Sequence, residues 1–154
     1  MTRIEYSVDD AVPDLPLETV APRVTILLSH PLFHKFPVSS LISVAFVHNE
    51  TMKELNSLYR GKDQTTDILT FVMNEPLENT FLLGELIICV DQAKMDAQEM
   101  GISLEQEYLW LFSHGLLHIA GYDHETEEKL CQMRNYESNL MNSITLDNTE
   151  RGDY

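Results

Sequence analysis

The sequence predicts an α+β fold: one domain, with a small mixed four-stranded sheet packed with about five helices around a buried, histidine-bearing helix. Three observations carry this expectation. The chain has 154 residues, 44% hydrophobic and 23% charged, values that suit a single globular domain with one core. Four strand-like runs and five helical stretches can be placed along it. Finally, EYLWLFSHGLLHIA, from Glu107, sets Leu109, Trp110, Leu111, Phe112, Leu116, Leu117 and Ile119 all round a helix axis. A helix apolar on every side is a buried one.

In chain order, Arg3 to Val8 alternates loosely and reads as a short first strand. Asp9 to Arg23 carries Pro13, Pro16 and Pro22 among acidic residues and reads as an extended loop, with a short helix after Pro22. His30 and His34 are four apart in HPLFH, but Pro31 disfavours the helical conformation at His30. These two and His48 read as ordinary surface or core histidines. Leu41 to Val47, LISVAFV, suits a buried strand. Asn49 or Thr51 then caps a helix, Thr51 with Glu54 as a capping box, with Met52, Leu55 and Leu58 or Tyr59 as its apolar stripe and Gly61 at its end.

Thr65 to Asn74 reads as a strand entered through Asp67, and Gly84 to Val90 as another, near enough to pair antiparallel. Asp91 is expected to cap a helix ending at Met100 and Gly101, with Ala93, Ala97 and Met100 inward. Ser103 and Gln106 form a capping box that opens the central helix, and Leu130, Met133, Glu137, Leu140 and Met141 pattern an amphipathic last helix. The domain is expected to span 1–146, with 147–154 a disordered tail.

The formal charge of −15 repels nucleic acid at long range, so any grip on RNA must be local. Cys89 and Cys131 are too few for a disulfide framework and read as reduced core residues. No run approaches the roughly 18 apolar residues of a membrane helix. The start, MTRIEYSVDDAV, lacks the basic and then apolar order of a signal peptide. A cytoplasmic location away from membranes is expected.

The chemistry concentrates in HGLLHIAGYDH, His114 to His124. Side chains four apart share a helix face, so His114 and His118 can aim at one point. His124 can join them only after a turn, and Gly121 is where the chain can take one. Three imidazoles with no fourth ligand nearby make up a catalytic zinc site whose fourth position is left for water, although Ni²⁺ or Cu²⁺ would also bind such a site. The spacing is that of the metzincin proteases, which carry Glu after the first histidine as general base. Here that position is Gly115, so a peptidase becomes the second reading. A glycine in a helix costs about 1 kcal/mol against alanine, and Gly115 is read as answering a close approach of another backbone or of substrate. A zinc-bound water, its pKa lowered from roughly 15.7 to about 7, supplies hydroxide without a separate base.

Arg60 and Lys62, followed by Asp63 and Asp67, read by composition alone as a solvated helix end, since cations suit helix C-termini. Met133 reads as core rather than as a floor to the metal site. Asp123 is left either to orient a ligand histidine or to cap the last helix.

HGLLHIAGYDH closely resembles the H-G-x-L-H-x-x-G-Y-D-H signature of the YbeY family of bacterial rRNA maturation factors, zinc-dependent single-strand-specific endoribonucleases. LNSLYRGKDQTTDILTF is similar to the family's L-N-x-x-Y-R-x-K-D-x-x-T-D-V-L-S-F, and LLGELIICV to its L-G-D-I-x-I strand. The blocks cover roughly residues 55 to 124, in the family's order. The resemblance implies a zincin-like fold, His114, His118 and His124 as ligands of one Zn²⁺, and Arg60 in the role of the family's activity-linked arginine. A planar guanidinium can hold a phosphodiester by two parallel hydrogen bonds. It also implies single-stranded RNA or rRNA as substrate, action at the 16S rRNA 3′ end and in ribosome quality control, and the ribosome or small-subunit proteins as partners. Glu85 replaces the commoner Asp, and Val72 stands where proline often follows the Ser-Phe or Thr-Phe pair. The alternatives are a metallopeptidase and a non-catalytic ribosome assembly factor with a structural zinc. The latter needs a fourth ligand, for which Cys131 is the sulfur nearest in sequence.

Overall fold

Parallel strand neighbours need a long crossover, whereas a short connection suits an antiparallel pair, and both arrangements occur. The computed structural model describes residues 2–8, 15–37, 39–62 and 64–144. Its strands are β1 (Arg3–Val8), β2 (Ser40–Val47), β3 (Ile68–Pro76) and β4 (Phe81–Cys89), in one sheet of order β1-β2-β4-β3. β2 runs parallel to β1 and to β4, and β3 runs antiparallel to β4. The helices are α1 (Leu17–Leu28), α2 (Asn49–Arg60), α3 (Val90–Met100), α4 (Leu104–Ile119) and α5 (Glu127–Ser143). The mixed four-stranded sheet and five helices are those expected.

The two-residue period of the strands sorts the core into two faces. Ile42, Val44 and Phe46 of β2 and Leu86 and Ile88 of β4 belong to the main cluster with α4. Ile87 and Cys89 of β4, Leu69 of β3 and Met52 of α2 form a smaller cluster. α4 is buried round most of its circumference, with α1, α3, α5 and the β3–β4 edge of the sheet packed round it, but not on every side as expected: the stripe Trp110, His114 and His118 stays partly exposed. Its capping box forms: the Ser103 hydroxyl accepts from Gln106 N at 3.1 Å, and the Gln106 side chain accepts from Ser103 N at 3.3 Å.

Several local expectations give way to packing. α1 begins at Leu17 and runs through Pro22 rather than starting after it. Pro22 cannot donate to the Glu18 carbonyl, but Glu18 is exposed to water and the buried stripe Val20, Val24 and Leu27 holds the helix together. The remainder of the expected loop, residues 9–14, lies outside the described residues, as do Asp63 and the expected tail. His30 keeps the extended conformation that Pro31 demands and caps a 3-10 turn. β3 begins at Ile68, later than expected, and β4 at Phe81, earlier.

The α2 capping box does not form; the N-cap is His48 and makes no side-chain cap bond. Asp91, expected to cap its own helix, lies in the first turn of α3 and accepts from Asn49 N at the start of α2 at 2.8 Å. A carboxylate from another element replaces the local cap. Met52 is buried as expected, but Leu58 and Tyr59 are 73% and 60% exposed, and the inward residue one turn after Met52 is Asn56. Met100 is exposed, and so is Cys131, whereas Cys89 is a buried thiol. Among the described residues no helix is long and apolar enough to cross a membrane.

Candidate metal centre

His114 and His118 stand one helical turn apart near the end of α4, with ring centroids 4.6 Å apart and Nε2 atoms 3.1 Å apart. The helix then stops: Gly121 N donates to His118 O and Tyr122 N to Leu117 O, both at 3.0 Å. That pair of bonds is a Schellman ending, and it requires the positive φ of +101° that Gly121 adopts. The reversed chain brings the His124 ring to 5.8 Å from His114 and 5.2 Å from His118. Ligand nitrogens of all three lie within 4.8 Å of one another. Around a tetrahedral ion with Zn–N bonds of about 2.0–2.1 Å, ligand nitrogens are about 3.3 Å apart. The His114–His118 pair is close to that spacing, and the His124 nitrogen lies within 4.8 Å of both.

A metal-binding imidazole must be neutral. Burial, with added repulsion from His114 and His124, holds the His118 pKa down to about 4, so this ring is unprotonated near neutrality. His114 is set differently: its Nδ1 lies 2.8 Å from Oε2 of Glu137, a residue of α5 that is 4% exposed. A carboxylate can only accept, so Nδ1 carries the hydrogen and Nε2 is left as the donor to a metal. Glu137 was visible in the sequence only as a member of the α5 inward pattern. The available signal was its charge, because a buried glutamate almost always has a partner.

Gly115 answers a packing need rather than an approach of backbone or substrate. A Cβ there would lie 2.7 Å from Cδ2 of Leu86 and 3.1 Å from Cδ1 of Ile68. Leu86 is fully buried, so no side chain fits without displacing the sheet's packing. Asp123 neither caps α5 nor serves a histidine: it accepts from Glu125 N at 3.2 Å and lies 3.6 Å from Lys129 Nζ, while Thr126 caps α5. Met133 is buried in the core as expected. Cys131 is not part of the three-histidine group.

Arg60, exposed at the end of α2, lines a cavity of about 510 Å³ together with His114, His118 and His124. Tyr59, Asp67 and Phe71 line it as well, and the Tyr59 ring meets Phe71 edge-on with centroids 5.1 Å apart. The cleft thus combines a guanidinium, an exposed aromatic face and three imidazoles.

Fold and site together define an α+β protein whose three histidines line one cavity and are positioned to bind a metal ion. The family model for Endoribonuclease YbeY matches residues 15–145, and the chain belongs to the endoribonuclease YbeY family. It is 38% identical over 122 residues to the Endoribonuclease YbeY of Syntrophomonas wolfei, covering 73% of this chain and 78% of that protein. It is 40% identical over 114 residues to that of Bacillus cereus, covering 68% and 73%. The solution structure of TM1509 from Thermotoga maritima matches with a TM-score of 0.56 at 27% identity, covering 98% of this chain and 100% of that one.

Proposed function

We propose that this protein is a zinc-dependent, single-strand-specific endoribonuclease that matures the 16S rRNA 3′ end and serves ribosome quality control. The observation that carries the reading is the shared cavity of Arg60 and the three histidines. His114, His118 and His124 would hold Zn²⁺, the ion that an all-imidazole set with an open position suits best. When bound, the ion supplies a Lewis acid for a phosphoryl oxygen. Glu137 keeps His114 in the ligating tautomer. Arg60 holds the phosphodiester by its planar fork and shares the charge that grows on it.

Tyr59, 60% exposed and braced by Phe71, offers a face on which an unpaired base can stack, which bases inside a duplex cannot do. With a net charge of −15 the grip is local, and the ribosome or a small-subunit protein in the cytoplasm delivers the strand. Gly115 leaves neither a general base nor room for one, which disfavours a peptidase. The exposed Cys131 stands outside the histidine group, which disfavours a closed structural zinc site.

Metal content and cleavage of an unpaired oligoribonucleotide, measured for wild type and His118→Ala, test the reading. Loss of both in the variant is expected. Unchanged zinc and unchanged cleavage would overturn it.

A further inference from the structure

An endonuclease has substrate on both sides of the bond it cuts, and the Arg60 cavity accounts for one side. A second cavity of about 600 Å³ is lined by α4 and α5 residues including Trp110, Arg134, Asn135 and Ser138. Among the described residues, His114 and His124 alone line both cavities. The two concavities therefore meet at the histidine group, with Arg60 in one and Arg134 in the other.

The charge distribution bears on the same two residues. The chain has 25 acidic residues to 10 basic ones, so most cations have partners at hand. Arg3 pairs with Glu5, Lys129 with Asp123, Arg23 donates to the Ile144 carbonyl and Lys35 lies over the Tyr122 ring. Among the described residues, the side chains of Arg60, Lys62, Lys94 and Arg134 make neither an ion pair nor a hydrogen bond, and of these four only Arg60 and Arg134 line a cavity shared with the histidines. Both guanidinium groups are exposed and keep their full donor capacity.

We propose that the second cavity binds the continuation of the single-stranded RNA, with Arg134 gripping a backbone phosphate on the far side of the scissile bond from Arg60. Asn135 and Ser138 offer neutral hydrogen-bonding groups beside it, suited to sugar or phosphate oxygens. The proposal rests on the RNA reading above and adds the direction in which the strand leaves the histidine group. It also suits an acidic protein, because two isolated cations in a trough act locally where the long-range field is repulsive.

The test is binding of a fluorescent unpaired oligoribonucleotide, long enough to span both cavities, to wild type, Arg134→Ala and Arg60→Ala over a salt series. Each phosphate contact to a single strand contributes about 0.7 to the slope of log K against log salt. Arg134→Ala should bind several-fold more weakly, with its slope reduced by about 0.7, and show a raised KM with an unchanged kcat. Its zinc content and unfolding midpoint should match wild type. A dinucleotide, too short to reach the second cavity, should bind both proteins alike. Wild-type affinity and slope in Arg134→Ala, with both reduced in Arg60→Ala, would overturn this inference and leave the RNA reading standing. Absence of single-strand binding by wild type would overturn both.

Discussion

Replacing Glu137 with alanine removes the group that orients His114 while touching none of the three metal-facing nitrogens. The contact is a 2.8 Å hydrogen bond from imidazole Nδ1 to a carboxylate 4% exposed. Hydrogen bonds to charged groups contribute about 1.5–3 kcal/mol. At about 1.4 kcal/mol per decade, Glu137→Ala should weaken zinc binding by roughly 10- to 100-fold, the range typical of lost partners behind a metal ligand. Glu137→Gln keeps an acceptor for Nδ1–H but not the charge. Charge-assisted bonds are roughly twice as strong as neutral ones, so this variant should lose about three- to tenfold. Zinc affinity measured by competition with a chromophoric chelator gives the order wild type, Gln, Ala. Thermal unfolding of the metal-free proteins separates this from a folding defect. The His114 side chain is 29% exposed, so water can take over its Nδ1–H and the metal-free fold should lose little. Wild-type affinity in Glu137→Ala would refute the orientation argument. Equal losses in Gln and Ala would assign the effect to charge alone.

Gly115→Ala sets two known effects against each other. Helix propensity gains about 1 kcal/mol, while a Cβ 2.7 Å from a fully buried Leu86 methyl costs about 1–3 kcal/mol in overpacking. A net loss of about 1 kcal/mol, seen as a fall of about 2–4 °C in Tm, is expected; a rise would show that Leu86 repacks freely. Asp91→Asn should cost about 1 kcal/mol, the size of a helix cap, in urea unfolding near pH 7. Burial raises the Asp91 pKa, but the bonds from Asn49 and His48 outweigh this and leave it below the ordinary 3.8. A carboxylate with a depressed folded-state pKa stabilises the fold above its ordinary value and loses that contribution as pH falls through the folded value. The gap between wild type and Asp91→Asn should therefore be open near pH 7 and close as the pH falls below about 4. A gap that widens in acid would refute the assignment.

Local signals held unevenly, even where the interacting groups lie within one element or one turn. Ser103 and Gln106 are three residues apart and form their box. Thr51 and Glu54 have the same spacing, yet His48 is the N-cap of α2 and Asp91 of α3 serves the orphan N–H of Asn49. Pro22 read as a boundary by itself, but the buried stripe on either side carries the helix through it. Leu58 looked like part of a stripe and is 73% exposed, whereas the buried residues of α2 are Met52 and Asn56.

The sequence by itself determined the metal-binding chemistry. His114 and His118 share a face because the helix repeat requires it, and Gly121 supplies the one backbone conformation that returns His124 to them. These are properties of a continuous stretch of chain. The tertiary structure decided what surrounds it: Arg60 lining one cavity with the histidines, Glu137 behind His114, and Leu86 against Gly115. Each of those contacts joins different elements. Helix and strand periodicity sets which face of an element is buried, but the element that meets that face follows from how sheet and helices pack as a whole.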